Sequence, residues 1–491
     1  MSITKKYFSI FLLIISNFLI IYVFYKSEIV WKGSKRDYYL IYYIISIILI
    51  LFSIISFYIS QKVIIYTKIV LLSVVFTLYS FETYLTFNST KKMNTEKVDF
   101  SKNIKLYKDL TGKDYDTREM LKIYYDKKKE NKDISVYVPW TKDIFEKINH
   151  SVNSKKNILG KDIYPLSAIS NSQTIHCNEN GYYSIYQSDR YGFNNPDSQW
   201  DKERIEYLLV GDSFAHGACV NRPNDIASVL RTLSNKDALN LGQAHTGPLK
   251  MYAMMREFLK PNVKNILWVS YEGNDYEDLY LELKSKILKN YLNNLNFTQN
   301  LKMKQNLVDQ VAREQIKLAE RFIKPESQKF EILDNNQELD PNNKNSTTLP
   351  TTAMGFKLNN TEKNSFESSL LKFIKIFKTR YLISNYHQNP YPEYSKILKL
   401  AKELAQKNKS NFYYVHIPEQ GRFISNSLSN ESYDKIKKIV EELDIKFIDI
   451  YKDVLLKETN PLRLYPFETK HHFTVEGYKK IAEYIYNFTS D

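Results

Sequence analysis

The most informative segment of this chain is Tyr207-Leu208-Leu209-Val210-Gly211-Asp212-Ser213-Phe214-Ala215-His216-Gly217. Its first four residues are apolar and predict a buried strand that ends at Gly211, and a helical pattern runs later from Asp225 to Leu233. A serine at the carboxyl end of a buried strand is well placed to be a nucleophile, because amides at a helix start are unpaired and can bind an oxyanion. The structural alternative is a turn serine that only caps the next helix. The residues downstream decide between the two.

Downstream of this stretch, apolar strands alternate with helical patterns. This alternation predicts a parallel sheet covered by helices on both faces. Strands are predicted at residues 238–241, 265–270, 412–417 and 446–450, and helices at 248–259, 395–407, 432–443 and 475–487. Residues 278–322 predict amphipathic helix, and residues 326–363 are rich in Asn, Ser and Thr without periodicity, which predicts a mobile loop. We therefore expect a helical or disordered insertion near residues 278–390.

The first ninety residues predict a membrane anchor of about three helices. Residues 7–25 and 38–60 carry no charge, and each stretch is long enough to cross the ~30 Å hydrocarbon core of a bilayer. A third candidate contains Lys68 and Glu82, but a span over residues 69–87 places both charges near its ends. With the amino terminus inside, three spans export the large domain and two leave it in the cytoplasm.

Counts of Lys and Arg on the two sides of the spans do not choose between these topologies. We favour three spans, and so expect a bacterial inner-membrane protein with its large domain on the periplasmic side. Residues 91–163 are expected to form a stalk or accessory module, and residues 164–491 the main domain.

Composition excludes several classes of protein. The formal charge of +14 comes from scattered Lys and Arg residues, and no zinc-finger, RNA-recognition or helix-turn-helix signature is present, so a nucleic-acid partner is not expected. Two cysteines, Cys177 and Cys219, are too few for a disulfide scaffold or a cysteine-ligated zinc site. We find no spacing of metal ligands and expect no cofactor.

Four short motifs follow predicted strands or precede the last helix. They are Gly211-Asp212-Ser213-Phe214, Asn240-Leu241-Gly242-Gln243-Ala244-His245-Thr246-Gly247, Glu272-Gly273-Asn274-Asp275 and His472-Phe473-Thr474-Val475-Glu476-Gly477. In this order they resemble the four blocks of the SGNH (GDSL-like) hydrolase family, with Phe214 where the family name has Leu. The third motif is one residue shorter than the family's Gly-x-Asn-Asp. The resemblance covers roughly residues 189–485 and implies a flavodoxin-like, three-layer α/β fold with its site at the carboxyl ends of the strands.

The resemblance also implies the chemistry of acyl transfer from an ester. Ser213 would attack the carbonyl carbon and His472 would accept its proton. The Ser213 amide, the Gly247 amide and the side-chain amide of Asn274 would bind the oxyanion.

The acid that orients the histidine departs from the family pattern. The family usually has Asp three residues before the histidine, where this chain has Thr469, and Glu468 lies one residue further back. The partner of His472 is therefore expected to be Glu468, a backbone carbonyl or no group at all. With His471 as the base, Glu468 would stand at the family spacing, but the following glycine, Gly477, would be displaced. We therefore favour His472.

Other polar residues near the motifs are expected to be structural. His216 should pack or hydrogen-bond locally, Asp449 should cap a helix or turn, and His245 is a candidate substrate contact.

Cys177 and Cys219 both lie in segments that should border the active-site end of the sheet. We expect them to form a disulfide, which an oxidising periplasm would preserve and which would add about 4 kcal/mol in the chain-entropy model. Two unpaired thiols are the alternative.

These observations predict a membrane-anchored serine esterase or O-acyltransferase that acts on an envelope ester of a glycan or lipid, for example an acetylated polysaccharide. One alternative is a non-catalytic protein with the same fold that binds glycans or assembles polysaccharide. Another is an intracellular lipase at the membrane surface, which would require two spans. The acyl group, the acceptor and the oligomeric state stay open.

Overall fold

The computed structural model describes the chain except for residues 1–2, 31–35, 96–99, 131–132, 139–162, 331–372, 377, 380–390, 425–429, 470–471 and 491. The chain divides into two compact units. One contains residues 1–97 and 362–387, and the other contains residues 98–361 and 388–491.

The first unit is built on three long helices, α1 (Ile3–Phe24), α2 (Arg36–Ile55) and α3 (Gln61–Thr95). Within this region, Lys6–Ile29, Tyr39–Ser56 and Gln61–Phe87 are long and apolar enough to cross a membrane. Many of their apolar side chains are exposed, which is what a lipid-facing surface requires. The three helices agree with the three predicted spans.

Glu82, one of the two charges that interrupt the third span, is fully paired in the structure. Its carboxylate is 1% exposed and accepts hydrogen bonds from the amides of Lys378 and Thr379 at 2.9 and 2.8 Å. The Thr379 hydroxyl donates to the same carboxylate at 2.8 Å. A buried charge with three donors avoids most of the cost of an unpaired one. Part of the insertion between the two halves of the main domain thus packs on this span.

The second unit opens with α4 (Phe100–Thr111) and α5 (Met120–Glu130), followed by a small three-stranded sheet. Its strands are β1 (Ile134–Val136), β2 (Gln173–Ile175) and β3 (Ile185–Gln187), with β1 parallel to β2 and β2 antiparallel to β3. The small sheet therefore combines a strand from the expected accessory module with two from the segment after it.

A five-stranded parallel sheet forms the centre of this unit. Its strands are β4 (Ile205–Gly211), β5 (Ala238–Asn240), β6 (Val263–Tyr271), β7 (Asn411–Ile417) and β8 (Lys446–Asp449). They lie in the order β5-β4-β6-β7-β8 with every neighbouring pair parallel. This is the flavodoxin-like order, so the predicted fold class is confirmed.

Helices cover both faces of the large sheet. From β4 onward the described helices of this unit are α6 (Ser213–His216), α7 (Ile226–Ser234), α8 (Pro248–Phe258), α9 (Asp275–Glu282), α10 (Lys286–Asn293), α11 (Gln305–Phe330), α12 (Tyr391–Lys407), α13 (Gly421–Ile424), α14 (Glu431–Glu442), α15 (Ile450–Asp453) and α16 (Val475–Ser490). The loop predicted over residues 326–363 is wrong at its start, because α11 continues to Phe330; residues 331–363 lie outside the described residues.

Strand β4 shows why the sheet has a core on each face. Successive side chains of a strand point to opposite faces, so Leu208 and Val210 pack with α8 and α12, while Tyr207 and Leu209 pack with α7 and α16. Leu208, Leu209 and Val210 are completely buried. The run of apolar residues in the sequence reflects burial on both faces.

Candidate active site

Ser213 lies at the carboxyl end of β4, as the sequence predicts. Asp212 caps α6, and its side chain accepts a hydrogen bond from the Phe214 amide at 2.9 Å. Gly242 lets the second motif approach this turn closely, since a Cβ there would lie 2.3 Å from the His216 amide nitrogen. The turn holds Ser213 at the edge of the sheet where parallel α/β folds place their sites.

His472 reaches Ser213 from the segment before the last helix. Its Nε2 lies 2.8 Å from Ser213 Oγ. Gly477, in the first turn of α16, packs so closely that a Cβ would lie 2.6 Å from the Leu464 carbonyl oxygen. The spacing between His472 and Gly477 thus sets the register that the sequence motif implies. The alternative base, His471, lies outside the described residues.

Glu179 completes the group and is the residue that the sequence did not reveal. One of its oxygens, Oε2, lies 2.9 Å from His472 Nδ1 and accepts the His472 amide at 2.7 Å. A carboxylate beside Nδ1 favours the tautomer with hydrogen on that atom, which leaves Nε2 free to accept the serine proton. Ser213, His472 and Glu179 therefore form a continuous hydrogen-bonded chain of hydroxyl, imidazole and carboxylate.

The expectation that Glu468 supports the histidine is corrected by this geometry. Glu468 Oε1 instead accepts a hydrogen bond from Asn460 Nδ2 at 3.0 Å. Glu468 sits in a tight turn with a φ of 56°, next to Phe467 with a φ of 54°. The carboxylate that pairs with His472 comes from a position 293 residues earlier. The signal that could have found it is the expected pairing of Cys177, two residues before Glu179, with Cys219, which lies six residues after Ser213.

The charge of Glu179 sets the proton affinity of the base. Burial on its own lowers the pKa of His472, but the charge of Glu179 and its hydrogen bond to the ring outweigh burial, so the pKa is raised. Asp212 contributes in the same direction. The charged, imidazolium form of His472 is therefore stabilised relative to that of an unpaired buried histidine.

Two of the three expected oxyanion donors are unpaired. Among the residues that the structure describes, the Ser213 amide has no acceptor and the Asn274 side chain makes no hydrogen bond, its buried Oδ1 included. Asn274 is the residue before α9, and the next residue, Asp275, anchors the strand end by accepting from the Ser270 hydroxyl at 2.5 Å and the Tyr271 amide at 3.1 Å. These bonds fix where the helix starts and hence where Asn274 stands.

The third expected donor, Gly247, is corrected by the structure. Its amide donates to Glu282 Oε1 at 2.7 Å. The other oxygen of Glu282 accepts the amides of Leu249 and Lys250 at 2.9 and 3.2 Å, so this carboxylate caps the start of α8. An amide already bound to a buried carboxylate is not free for an oxyanion. Within the described loop 242–247, the amides without a protein acceptor are those of His245 and Thr246.

Three other polar residues are singled out by the sequence: His216, Asp449 and His245. His216 Nδ1 donates to the Gly242 carbonyl at 3.2 Å, the local hydrogen bond expected from the sequence, and burial lowers its pKa to about 4. Asp449 accepts the Lys452 amide at 3.0 Å and the Tyr433 hydroxyl at 2.5 Å, which makes it a cap as predicted. His245 borders the site, and burial, Lys250 and His472 lower its pKa to about 4. Its contact with substrate stays a prediction.

Cys177 and Cys219 are joined by a disulfide, with their Cα atoms 5.0 Å apart. Among the described residues, Glu179, Cys219 and His472 are also the group whose ligand atoms lie close enough to share a metal ion. In that group the sulfur is bonded to Cys177, and Glu179 and His472 are bonded to each other. All three candidate ligand atoms therefore already have protein partners, and the bond between Glu179 and His472 is one that suits proton transfer.

The chain is similar to known proteins only in its three-dimensional structure. No family model and no curated protein matches the chain. One solved structure that it resembles is a putative lipolytic protein of the G-D-S-L family from Desulfitobacterium hafniense DCB-2, with 12% identity and a TM-score of 0.29. Another is the acetyl xylan esterase AlAXEase, with 10% identity and a TM-score of 0.30. Each match covers 58% of this chain and 99% of the other.

The class of fold rests on this chain's own features. The strand order β5-β4-β6-β7-β8, with Ser213 after β4 and His472 before the last helix, is an SGNH-hydrolase-like α/β fold.

Proposed function

We propose that this protein is a membrane-anchored serine ester hydrolase or O-acyltransferase that works through an acyl-enzyme. The observation that supports this most directly is the unbroken chain from Ser213 Oγ to His472, at 2.8 Å, and from His472 to Glu179, at 2.9 Å. A serine hydroxyl bonded to a neutral imidazole that is itself bonded to a carboxylate is an activated nucleophile.

In the first half-reaction, Ser213 Oγ bonds to the ester carbonyl carbon while its proton passes to His472 Nε2. The negative charge that develops on the carbonyl oxygen is stabilised by the Ser213 amide and the Asn274 side chain. The tetrahedral intermediate then expels the alcohol, which takes the proton from His472, and an acyl-serine remains. Glu179 stabilises the imidazolium between these two proton transfers.

In the second half-reaction, water or an acceptor hydroxyl attacks the acyl carbon while His472 removes its proton. The bond from that carbon to Ser213 Oγ then breaks, and Ser213 takes the proton back from His472. Water makes the protein a hydrolase, and an acceptor hydroxyl makes it a transferase. Three helices able to span a membrane support a substrate at the cell envelope. The Cys177–Cys219 disulfide supports an oxidising, extracytoplasmic compartment. We therefore propose an ester on an envelope glycan or lipid, such as an acetylated polysaccharide, as the substrate.

The test uses the full-length protein in detergent. Wild-type protein should hydrolyse a short-chain aryl ester and should be labelled by an organophosphonate probe. Ser213→Ala should lose both properties with its fold intact, because the nucleophile is gone. Ser234→Ala is a matched control, since that hydroxyl makes only local bonds at the end of α7, to the Leu230 carbonyl and from the Lys236 amide.

Undiminished turnover by Ser213→Ala would contradict the serine mechanism. Wild-type protein that is neither labelled nor active would favour the non-catalytic alternative, a protein that binds glycans or assembles polysaccharide. A second assay separates hydrolysis from transfer. Increasing amounts of an oligosaccharide acceptor are added to the reaction with the aryl ester, and the acylated oligosaccharide and the free acid are both measured. A transferase forms the acylated oligosaccharide in preference to free acid.

A further inference from the structure

The acid of the triad does not stand on the large sheet that carries the serine. Glu179 lies in the turn between β2 and β3 of the small sheet. Those strands are only three residues long, and the backbone ladder beyond them ends with the bond from the Ser184 amide to the Cys177 carbonyl at 2.8 Å. Sheet hydrogen bonds therefore stop two residues short of Glu179.

The tip of this turn is tied to the nucleophile's own loop. Cys177 is bonded covalently to Cys219, which lies six residues after Ser213. On the other side of Glu179, Asn180 Nδ2 donates to the Cys219 carbonyl at 3.0 Å. Both cysteines are buried, at 2% and 0% exposure. Glu179 is thus flanked on each side by a link to the same residue.

We infer that the Cys177–Cys219 disulfide is a positioning element of the active site, which holds the Glu179 carboxylate against His472 and makes activity depend on the oxidised state of the pair. This inference rests on the proposed function of the Ser213 site. The disulfide sulfur of Cys219 lies 4.0 Å from His472 Nδ1, so the bridge runs directly beside the ring that the acid orients.

The Glu179 carboxylate must be held in place because two hydrogen bonds to His472 depend on the position of one of its oxygens. A single oxygen, Glu179 Oε2, accepts both the amide and the ring of His472, at 2.7 and 2.9 Å. A displacement of about 1 Å in a catalytic arrangement can cost roughly 100-fold in rate. The large sheet keeps its two helical layers without the bridge, since neither cysteine belongs to its two main core clusters. Loss of the bridge should therefore release the acid before it unfolds the domain.

The first arm of the test compares full-length variants in detergent. Replacing both cysteines (Cys177→Ser with Cys219→Ser) should lower kcat/KM for an aryl ester by about 10- to 100-fold. The acid limb of the pH profile should move to lower pH, as it should in Glu179→Gln. In the Glu179→Gln background, the same cysteine replacements should change kcat/KM by less than about twofold, because the acid they position is already lost.

The second arm uses wild-type protein, so it decides the matter even if the cysteine variant fails to fold. Dithiothreitol supplies two electrons and two protons, the S–S bond breaks to two thiols, and the reagent closes to its own disulfide. Activity should fall on reduction and return on reoxidation, while the near-ultraviolet circular dichroism of the domain is retained. Loss of that signal together with activity would show that the bridge acts through the whole fold, and would overturn the inference.

Two further outcomes also count against it. A cysteine variant as active as wild type, or one whose loss is equally large in the Glu179→Gln background, would show that the bridge does not act through Glu179. Failure of the proposed function would give a different result, because oxidised wild-type protein would then neither turn over the ester nor react with the phosphonate probe.

Discussion

At the scale of single residues, the site is organised by one carboxylate oxygen. Glu179 Oε2 binds the ring and the amide of His472 together, which fixes both the rotamer of the imidazole and its tautomer. Side-chain exposure of about a tenth for both residues strengthens the pairing by limiting solvent screening. The direction of the His472 pKa shift follows from this pair.

Replacing the acid with its neutral isostere tests the pair. Glu179→Gln should lower kcat/KM by roughly 10²–10⁴-fold, because the imidazolium loses its counter-charge. A general base must be neutral to accept a proton, and Glu179 raises the pKa of His472, so wild-type activity should fall as the pH drops through that raised pKa. Without the charge, the midpoint of that acid limb should move to lower pH. The measurement is kcat/KM against pH.

The matched control for this experiment is Glu468→Gln, the acid that the sequence favoured. Because Glu468 binds Asn460 instead, both rate and midpoint should stay at wild-type values. A midpoint unchanged in Glu179→Gln but lowered in Glu468→Gln would reverse the assignment.

Asn274 tests the oxyanion site. Asn274→Ala removes an amide that has no partner among the described residues in the absence of substrate. Since charge on the substrate oxygen appears only in the transition state, kcat should fall by about 100-fold with KM nearly constant. Steady-state kinetics on the aryl ester measures this. A change confined to KM would assign Asn274 to substrate binding.

At the scale of elements, the small sheet supports the site in a second place. Tyr137 directly follows β1, and its hydroxyl donates to Gln243 Oε1 at 2.8 Å and accepts the Ala244 amide at 2.8 Å. Its ring packs on that of His176 with centroids 4.5 Å apart. The small sheet therefore braces the loop of the second motif as well as carrying the acid.

Removing the Tyr137 hydroxyl should lower the stability of the fold. Tyr137→Phe leaves the Ala244 amide and the Gln243 side chain without their buried partner, and the free energy of unfolding should fall by about 1–3 kcal/mol. Denaturant unfolding of the full-length protein in detergent measures this difference. Tyr183→Phe is the control, since its hydroxyl bonds the Arg118 carbonyl near solvent and should change stability by less than about 0.5 kcal/mol. Equal losses in the two variants would remove the argument for a brace.

At the scale of the whole molecule, the number of spans determines the compartment. Among the described residues three helices are able to span a membrane, and three spans would put the two termini on opposite sides of it. The third helix contains Glu82, whose carboxylate is paired with Lys378 and Thr379. That pairing removes the main objection to counting this helix as a span.

Reporter fusions test this topology. A phosphatase that is active only outside the cytoplasm, fused after Asp491, should be active, and a fluorescent protein that matures only inside should stay dark there. Deleting residues 61–87 leaves two spans and should reverse both signals, which provides the control. An intact fusion that reports a cytoplasmic carboxyl terminus would instead support the lipase at the membrane surface.

Local patterns in the sequence determined the parallel sheet, the three apolar helices, the position of Ser213 after β4 and the register of His472. Each of these depends on residues within a few positions of one another, where periodicity and motif spacing carry the information. The partner of His472 and the state of the Gly247 amide depended instead on residues distant in sequence. Glu179 lies 293 positions from His472, and Glu282 lies 35 from Gly247. Only tertiary packing brings these groups together, because a hydrogen bond is decided by distance in space, and spacing along the chain does not encode that distance across separate elements.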